Sequence, residues 1–430
     1  MYNKLSLSSN KVINGWCMYD WANSVYSLVI TTAIFPIYFN SVTTSLDGSY
    51  IVSFFGIQIV NSVLYAYSLS FSFLLLTIIQ PILSGIADYV GRKKLFLKIF
   101  MYLGSASCIS LYFFDGSNIE FGIICSVLAS LGFSGSLVFY NAFLPEIVSK
   151  DELDRVSARG YSFGYIGSVI LLIICLVLIT FYDFFGFSNS VLATRFTFLL
   201  VGIWWIIFSQ ITFVTVPEVI KNKKISFSIL SYGVYELIKV WNYLKNVRNL
   251  KLFLFSFFFY SMGVQTVMLI ASLFGSKELN LDQNKLIFTV LIIQIVAIFG
   301  AYFFAYISKI KGNKFSLIIM NILWIIICIS AYFTQDENQF YLLATTVGLV
   351  MGGIQSLSRS TFSKLIPIEI EDNASFFNLY AIAYNMSIVL GAFSYGYIEQ
   401  ITGSMRISTL VLASYFLIGL VILLFVKIKK

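Results

Sequence analysis

Twelve apolar runs of about twenty residues constrain this chain more than any other feature of its sequence. A helix of that length crosses the ~30 Å hydrocarbon core of a bilayer, where each segment must satisfy its backbone hydrogen bonds internally. Only 11% of the 430 residues are charged, too few to cover a water-soluble surface of this size. The sequence therefore predicts an all-α integral membrane protein. We place the transmembrane helices near residues 13–39, 62–87, 95–114, 120–144, 158–182, 192–216, 250–275, 286–308, 314–334, 340–366, 376–400 and 406–427.

The bases are concentrated in alternate loops. Of the 28 Lys and Arg, 24 lie on the side of the amino terminus, and four lie opposite: Arg195, Lys277, Lys285 and Arg406. Basic residues resist translocation, so the rich side is predicted to be cytoplasmic and both termini to lie inside. Residues 50–61 (YIVSFFGIQIVN) either lengthen the second helix or lie at the interface.

The longest cytoplasmic segment divides the spans into six plus six. We predict an N-terminal six-helix bundle at residues 1–216, a linker at 217–249 and a C-terminal six-helix bundle at 250–430. Within the linker, residues 228–245 have the apolar spacing of a helix lying on the membrane surface, although a solvated linker fits as well.

The composition excludes several classes of function. The chain has no histidine, which removes histidine metal sites and histidine general bases. Its five cysteines lie singly inside apolar runs and predict no disulfide, so we expect no metal and no cofactor. The net charge of +8 comes from scattered bases and forms no nucleic-acid-binding patch. The phosphate-binding loop of an ATP-driven pump, G-x-x-x-x-G-K-[ST], is absent from the sequence. The amino terminus leads into the first span without a cleavage site, which predicts an uncleaved span.

One polar cluster, SGIADYVGRKKLF at residues 84–96, falls on the predicted cytoplasmic loop between the second and third spans. It resembles the corresponding loop of the major facilitator superfamily, which reads roughly G-x-x-x-D-x-x-G-R-K/R. Tyr89 departs from that pattern, because the family usually has a base there. The resemblance implies two helix bundles that this loop holds shut on the cytoplasmic side. The matching residues are Gly85, Asp88, Gly91, Arg92, Lys93 and Lys94.

The chemistry of the cluster agrees with a gate. Gly91 can adopt the left-handed turn that ends a helix, and Asp88 can accept hydrogen bonds from the amino end of a neighbouring helix or from Arg92. The alternative is that the bases at 92–94 only set the orientation of the chain.

A second string, YDWANS at Tyr19–Ser24, is similar to the signature of the vacuole-effluxer branch of the same superfamily. The resemblance implies a secondary transporter, with eukaryotic relatives that export amino acids from the vacuole. We therefore expect efflux of a small polar solute, an amino acid or a related metabolite favoured, by alternating access in the plasma (bacterial inner) membrane. A coupling proton or ion would be a further partner.

Polar residues of the first span recur at helical spacing and predict one stripe facing a transport cavity. A carboxylate within a span is costly unless it faces water, a partner or the bundle interior, so Asp20 is the leading cavity residue. The alternative is a structural aspartate that caps a neighbouring helix. The stripe comprises Asp20, Asn23, Ser24, Ser27 and Thr31.

The seventh span departs from the family pattern. Relatives commonly read Y-N-D-G-V-Q-T, whereas Met262 replaces the acid here. If that acid carries a coupling proton in relatives, then transport by this chain relies on Asp20 alone for coupling, is coupled in a different way, or is facilitated without coupling. Gln265 and Thr266 are predicted to contact substrate, as is Asn385, which stands near the position where relatives often have a lysine.

Three arginines near the predicted cytoplasmic ends of spans are the last candidate functional residues. Arg359 either binds a substrate carboxylate or, as we favour, snorkels to the headgroups or forms a structural ion pair. Arg155 and Arg159, beside the acids of residues 151–154, predict a network that reaches the bases at 92–94.

Two other classes of function are alternatives to a transporter. A membrane-embedded lipid-modifying enzyme would need clustered acids or histidines, and the acids near 146–154 alternate with bases instead, so we predict no enzyme. A transporter-derived receptor or assembly partner without flux stays open, because a fold does not determine a function.

Overall fold

The structure is a computed structural model and describes residues 9–45, 50–218, 235, 238–244, 247–366 and 373–428. Within these residues, twelve helices are long and apolar enough to cross a membrane. They are α1 (Asn10–Thr43), α2 (Asn61–Val90), α3 (Lys93–Ser110), α4 (Ile119–Ile147), α5 (Leu153–Thr180), α6 (Ser190–Thr215), α7 (Arg248–Leu279), α8 (Gln283–Lys311), α9 (Asn313–Phe333), α10 (Glu337–Leu365), α11 (Asn373–Thr402) and α12 (Met405–Phe425).

All twelve predicted helices are confirmed, and most extend a few residues beyond the apolar runs. Polar caps explain several of the extensions, because a side-chain oxygen satisfies a backbone N–H that the helix itself leaves unpaired. Asn189 accepts from the Leu192 N–H at the start of α6 (2.8 Å), and Asp336 accepts from the Gln339 N–H at the start of α10 (2.9 Å). Gly91 ends α2 in the predicted left-handed conformation (φ 71°).

Residues 51–60 do not lengthen the second helix, which was one of the two alternatives expected from the sequence; a position at the membrane interface stays a prediction. Strands β1 (Ile51–Phe54) and β2 (Ile57–Val60) pair antiparallel into a hairpin between α1 and α2. The two turn residues, Phe55 and Gly56, both have positive φ (46° and 82°), which matches the twist of a two-residue hairpin turn. The Phe55 N–H donates to Glu120 at the start of α4 (3.0 Å), so the hairpin is attached to the rest of the protein.

Helix α1 is not α-helical throughout. Its residues Tyr26–Ile34 form a π-helical segment between two α-helical parts. The wider helix changes the angular spacing of side chains, so the single stripe predicted from Asp20 to Thr31 is interrupted after Val25.

Glycines allow close helix packing within each half of the chain. A Cβ added at Gly132 of α4 would meet the Gly104 backbone of α3 at 2.3 Å, and one at Gly352 of α10 would meet the Ala297 carbonyl of α8 at 2.0 Å. Small residues let helix backbones approach in this way in membranes. The N-terminal set α1–α6 and the C-terminal set α7–α12 are joined by contacts of α5 with α8 and α10 and of α11 with α2 and α4.

The predicted linker is only partly described. Of the surface helix expected at 228–245, residues 228–234, 236, 237 and 245 lie outside the described residues, and residues 238–244 are helical. We retain bundles at 1–216 and 250–430 as a proposal.

The orientation can be tested by cysteine labelling, because all five native cysteines are buried. We expect a cysteine at exposed Arg92 to react with a membrane-impermeant maleimide in inverted vesicles, and one at exposed Ser117 to react in intact cells. Labelling of Arg92→Cys from the outside would contradict the assigned topology.

Candidate functional site

A buried ion pair joins the two helix sets. Arg359 of α10 donates from Nη1 to Oδ2 of Asp20 in α1 at 3.2 Å, and the two side chains are 2% and 7% exposed. An isolated charge at this depth would be strongly unfavourable, so each partner compensates the other. We call these two residues the Asp20–Arg359 pair.

Arg359 donates three further hydrogen bonds. Its Nε donates to Ser157 Oγ (2.9 Å) and its Nη2 to the Ser157 carbonyl (2.8 Å), both in α5, while Nη1 also reaches Asn141 Oδ1 (3.4 Å). The guanidinium lies over the rings of Tyr161 (4.2 Å to the centroid) and Trp16 (4.8 Å), a favourable position for a desolvated cation. Arg359 therefore forms the expected ion pair and does not extend to the headgroups, so the snorkelling alternative is wrong.

The two oxygens of Asp20 have different surroundings. Oδ2 accepts from Arg359 and from the Tyr140 hydroxyl of α4 (2.7 Å), whereas Oδ1 accepts from no group in the described part of the chain. Tyr140 is held in place by stacking on Trp16, with centroids 4.5 Å apart. One carboxylate oxygen thus remains able to accept a hydrogen bond from a ligand, or to take up a proton.

Gly160 of α5 lets the pair form. A Cβ at this position would meet Asp20 Oδ2 at 2.5 Å and Arg359 Nη2 at 2.9 Å. Gly164, one turn further along, plays a similar part, since its added Cβ would meet Ser24 Oγ at 2.4 Å.

We expect Gly160→Ala to separate Asp20 from Arg359 and to reduce transport at least about tenfold, because an ion pair in a low-dielectric site depends steeply on distance. Gly396→Ala in α11 is the matched control, since its added Cβ meets nothing within 4 Å. Initial rates of flux in proteoliposomes check this, and equal rates for the two variants would contradict it.

Two tyrosine–glutamine pairs each join two helices. The Tyr165 hydroxyl of α5 donates to Gln355 Oε1 of α10 (2.7 Å), and the Tyr384 hydroxyl of α11 donates to Gln265 Oε1 of α7 (3.1 Å). Gln265 thus has a polar partner, and its predicted contact with the substrate stays a prediction. Sequence reasoning did not single out Tyr165, Tyr384 or Gln355.

The other predicted cavity residues are placed less uniformly. Asn23 and Asn385 are buried, and the Asn23 amide nitrogen has no partner among the described residues. Ser24 donates to Asn23 Oδ1 (3.5 Å), and Ser27 donates to the Ser24 carbonyl within its own helix (3.0 Å).

Thr266 does not line an open space. It is fully buried, and a Cβ at Gly391 of α11 would meet its Oγ1 at 2.4 Å. In this structure the side chain packs in the contact between α7 and α11, and its predicted contact with the substrate stays a prediction.

Asp88 joins the N-terminal set to the start of α11. Its carboxylate accepts from the backbone N–H groups of Ala374 (3.2 Å) and Ser375 (2.7 Å). These groups have no partner within the helix, and the helix dipole favours an anion there. The amino end of a helix, one of the two partners expected from the sequence, is therefore observed.

Lys93 takes part in a second contact between the N-terminal set and the start of α11. It is buried and pairs with Glu146 at the end of α4, and Glu146 Oε1 also accepts from Asn373 of α11 (2.8 Å). Gly85 is buried within α2, three residues before Asp88. Next to this loop, burial raises the pKa of the Glu218 carboxyl, an effect that the N–H and charge of Lys94 oppose.

A second carboxylate joins the two helix sets elsewhere on the face that the sequence predicts to be cytoplasmic. Asp154, in the first turn of α5, accepts from Ser308 of α8 (2.8 Å), Asn313 of α9 (2.7 Å) and Lys364 of α10 (2.6 Å). Lys364 also donates to Asn313 Oδ1 (2.8 Å). One side chain from the N-terminal set thus binds three helices of the C-terminal set.

Within the described residues, the contacts observed for Arg155 and Arg159 are local ones, and they do not include the bases at 92–94 that the prediction named. Arg155 is exposed and pairs with Glu152 on its own turn, and Arg159 lies over the ring of Phe163 (5.6 Å). Adjacent helical residues point about 100° apart, so Asp154 faces α8–α10 while Arg155 faces outward. Sequence reasoning included Asp154 among the acids of residues 151–154 but missed its partner Lys364, whose one available signal was a charge within two residues of a span end.

The family model described as "Vacuole effluxer Atg22 like" matches residues 8–430. The chain belongs to this family. It is a major facilitator superfamily transporter and not an enzyme, and it is a multi-pass integral membrane protein, as the first-span string and the charged loop indicated.

Individual relatives agree with this membership. The chain is 32% identical to an uncharacterized MFS-type transporter, YxiO, of Bacillus subtilis over 96% of this chain and 94% of that one. It is 24% identical to autophagy-related protein 22 of Coccidioides immitis over 93% and 83%.

Solved structures show the same fold. FucP in the outward conformation superimposes with a TM-score of 0.71 at 12% identity, over 99% of this chain and 100% of that one. A bacterial homologue of the iron transporter ferroportin in an outward-facing state gives 0.68 at 13%, over 96% and 98%. The predicted major facilitator fold is confirmed.

Proposed function

We propose that this transporter exports a small polar solute, an amino acid or a related metabolite favoured, across the bacterial inner membrane by alternating access. The observation that carries the proposal is the Asp20–Arg359 pair, which joins α1 and α10 across the two helix sets. A contact between the sets has to change when the transporter changes the side to which its site opens.

The closed cytoplasmic face supports this mechanism. Asp88 binds the start of α11, Asp154 binds α8–α10, and the Asp20–Arg359 pair lies deeper between α1 and α10. All three contacts link the two sets, so opening toward the cytoplasm requires that they break. Solute binding supplies free energy for this step if it replaces contacts that the pair makes in the closed state.

A zwitterion suits the centre of the site. The charges of Asp20 and Arg359 cancel, and Asp20 Oδ1 is left without a partner among the described residues. That oxygen can accept a hydrogen bond from the ammonium group of a zwitterion. Because a zwitterion is neutral as a whole, its binding places no net charge in a low-dielectric space.

Asp20 is the residue that we propose for coupling. Met262 stands where relatives commonly have a second acid, so a proton taken up within the spans would have to use Asp20. Protonation removes the charge that holds Arg359, which weakens a contact between the two helix sets. Efflux is supported by the family description, and a bacterial membrane by the relative from Bacillus.

Flux in proteoliposomes tests the function. We expect the purified transporter to exchange at least one radiolabelled L-α-amino acid, and a pH gradient to drive accumulation of that amino acid. Asp20→Asn should abolish the pH-driven accumulation, whereas Asp183→Asn, an exposed acid in an outer loop, should not. Ligand-induced thermal stabilisation without any flux would instead indicate a receptor.

A further inference from the structure

Two polar side chains near the start of α11 are buried without partners. Asn378 and Ser375 are both fully buried. Neither the amide oxygen nor the amide nitrogen of Asn378 has a hydrogen-bond partner in the part of the chain that the structure describes, and the same holds for Ser375 Oγ. A buried polar group without a partner loses its hydrogen bonds to water and gains none in return, which destabilises the state that buries it.

The contacts of α11 show which of its faces lies against the C-terminal set. Phe377 packs edge-on against Phe362 of α10, with centroids 5.2 Å apart, and Tyr380 stacks on Phe257 of α7 at 4.1 Å. One turn further along, the Tyr384 hydroxyl donates to the α7 glutamine described above. Because Phe377, Tyr380 and Tyr384 are spaced at i, i+3 and i+7, they lie on one face of the helix.

Asn378 and Ser375 lie on the opposite face of α11. At about 100° per residue, their side chains project roughly 130° and 170° from the centre of the aromatic face. Besides its own set, α11 packs against α2 and α4 of the N-terminal set, and Asp88 of α2 accepts from the Ser375 N–H (2.7 Å). The two unpaired side chains are therefore buried in the contact between the helix sets, on the closed cytoplasmic side.

We propose that Asn378, assisted by Ser375, destabilises the closed cytoplasmic face and thereby sets how readily the transporter opens inward. The inference rests on the alternating access proposed above and assigns a conformational role to a residue outside the Asp20–Arg359 pair. When the sets separate, water reaches this face of α11 and restores hydrogen bonds to the amide. The closed state carries the cost of the unpaired groups, and the inward-open state does not.

This role opposes the contacts that hold the two sets together. Asp88, Asp154 and the Asp20–Arg359 pair all stabilise the closed state. A transporter has to populate both states in each cycle, and every contact made in only one state shifts the population toward that state. Because the amide of Asn378 is unpaired in the same interface, the free-energy difference between the two states is smaller than the closing contacts alone would make it.

Asn378→Leu tests the proposal, because leucine has the same branched shape as asparagine but leaves no polar group unpaired. The reporter is Ala158→Cys in α5, which is fully buried against Ala301 and Ala305 of α8. Its reaction with an impermeant maleimide in inverted vesicles requires that the sets separate. We expect Asn378→Leu to slow this reaction about tenfold. The chain without the engineered cysteine gives the background from the native cysteines.

Two further substitutions extend the test. Asn378→Asp places a charge in the closed contact and should accelerate the reaction about tenfold, because a buried unpaired carboxylate is more unfavourable than a buried amide. Ser375→Ala removes the second unpaired group but keeps the backbone N–H that Asp88 binds, so it should slow the reaction by a smaller factor than Asn378→Leu. Size-exclusion profiles establish that each variant is folded.

Asn321→Leu in α9 is the matched control. Asn321 is also fully buried, and its amide oxygen has no partner among the described residues. Its helix, however, packs against α8, α10 and α12 of its own set. The same substitution there removes an unpaired group that stays buried in both states, so the labelling rate should not change.

The labelling rates decide the proposal. Slower labelling in Asn378→Leu and Ser375→Ala, with Asn321→Leu at the wild-type rate, supports it. An unchanged or faster reaction in Asn378→Leu, or equal slowing by Asn321→Leu, would overturn it. Because labelling requires no solute, these outcomes do not depend on which solute is transported, and a failure of amino-acid export would leave them unaffected.

Discussion

Replacing Arg359 with methionine is expected to abolish transport and to lower the free energy of unfolding by about 3–5 kcal/mol, because it leaves the carboxylate of Asp20 buried without its counter-charge. Asp20→Asn is expected to have a similar effect on stability, since it leaves the guanidinium unpaired. The double variant Asp20→Asn, Arg359→Gln removes both charges and should recover much of the stability but not pH-driven transport.

Thermal unfolding and flux in proteoliposomes measure the two effects separately. Arg155→Met is the matched control, because the Arg155 side chain is 68% exposed and, among the described residues, its ion pair is with Glu152, the residue just before α5. Such exposed pairs contribute little to stability. If Arg359→Met retained wild-type flux, the pair would not be part of the transport site.

Replacing Asp154 with asparagine and Asp88 with alanine in one chain is expected to open the cytoplasmic side. Asp154→Asn removes the ion pair with Lys364, and Asp88→Ala removes the acceptor for two N–H groups of α11. Each loss of a charged hydrogen bond costs about 1.5–3 kcal/mol in the closed state. The inward-open population should therefore rise about tenfold to a hundredfold for each substitution.

A cysteine at Ala301 of α8, fully buried beside Ala158 of α5, reports this opening. Its reaction with an impermeant maleimide in inverted vesicles should accelerate in the gate variants. Glu152→Gln, whose partner is exposed Arg155, should leave the rate unchanged. An unaltered labelling rate in the Asp154 and Asp88 variant would show that these carboxylates do not hold the cytoplasmic face shut.

The helices could be predicted because the solvent of this protein is lipid. A segment of ~20 apolar residues in hydrocarbon can only be a helix, so helix positions follow from composition alone. The left-handed Gly91 was predictable for a similar reason, since few other residues adopt that conformation at a helix end.

The hairpin and the π-helical segment were not predicted, because both depend on local detail. Residues 51–54 and 57–60 are rich in β-branched residues around Phe55 and Gly56, which is a strand signal that the surrounding apolar runs obscured. For the π-helical segment of α1, Tyr26–Ile34, nothing in the sequence distinguishes it from the α-helix on either side.

By itself the sequence determined the twelve helices, the side on which the bases lie, the family and the presence of an unusual carboxylate in the first span. Only the tertiary structure decided what that carboxylate binds. Asp20 and Arg359 are 339 residues apart, and their partners come from α4 and α5. Helix formation in lipid depends on one segment at a time, whereas compensating a buried charge depends on which helices pack side by side.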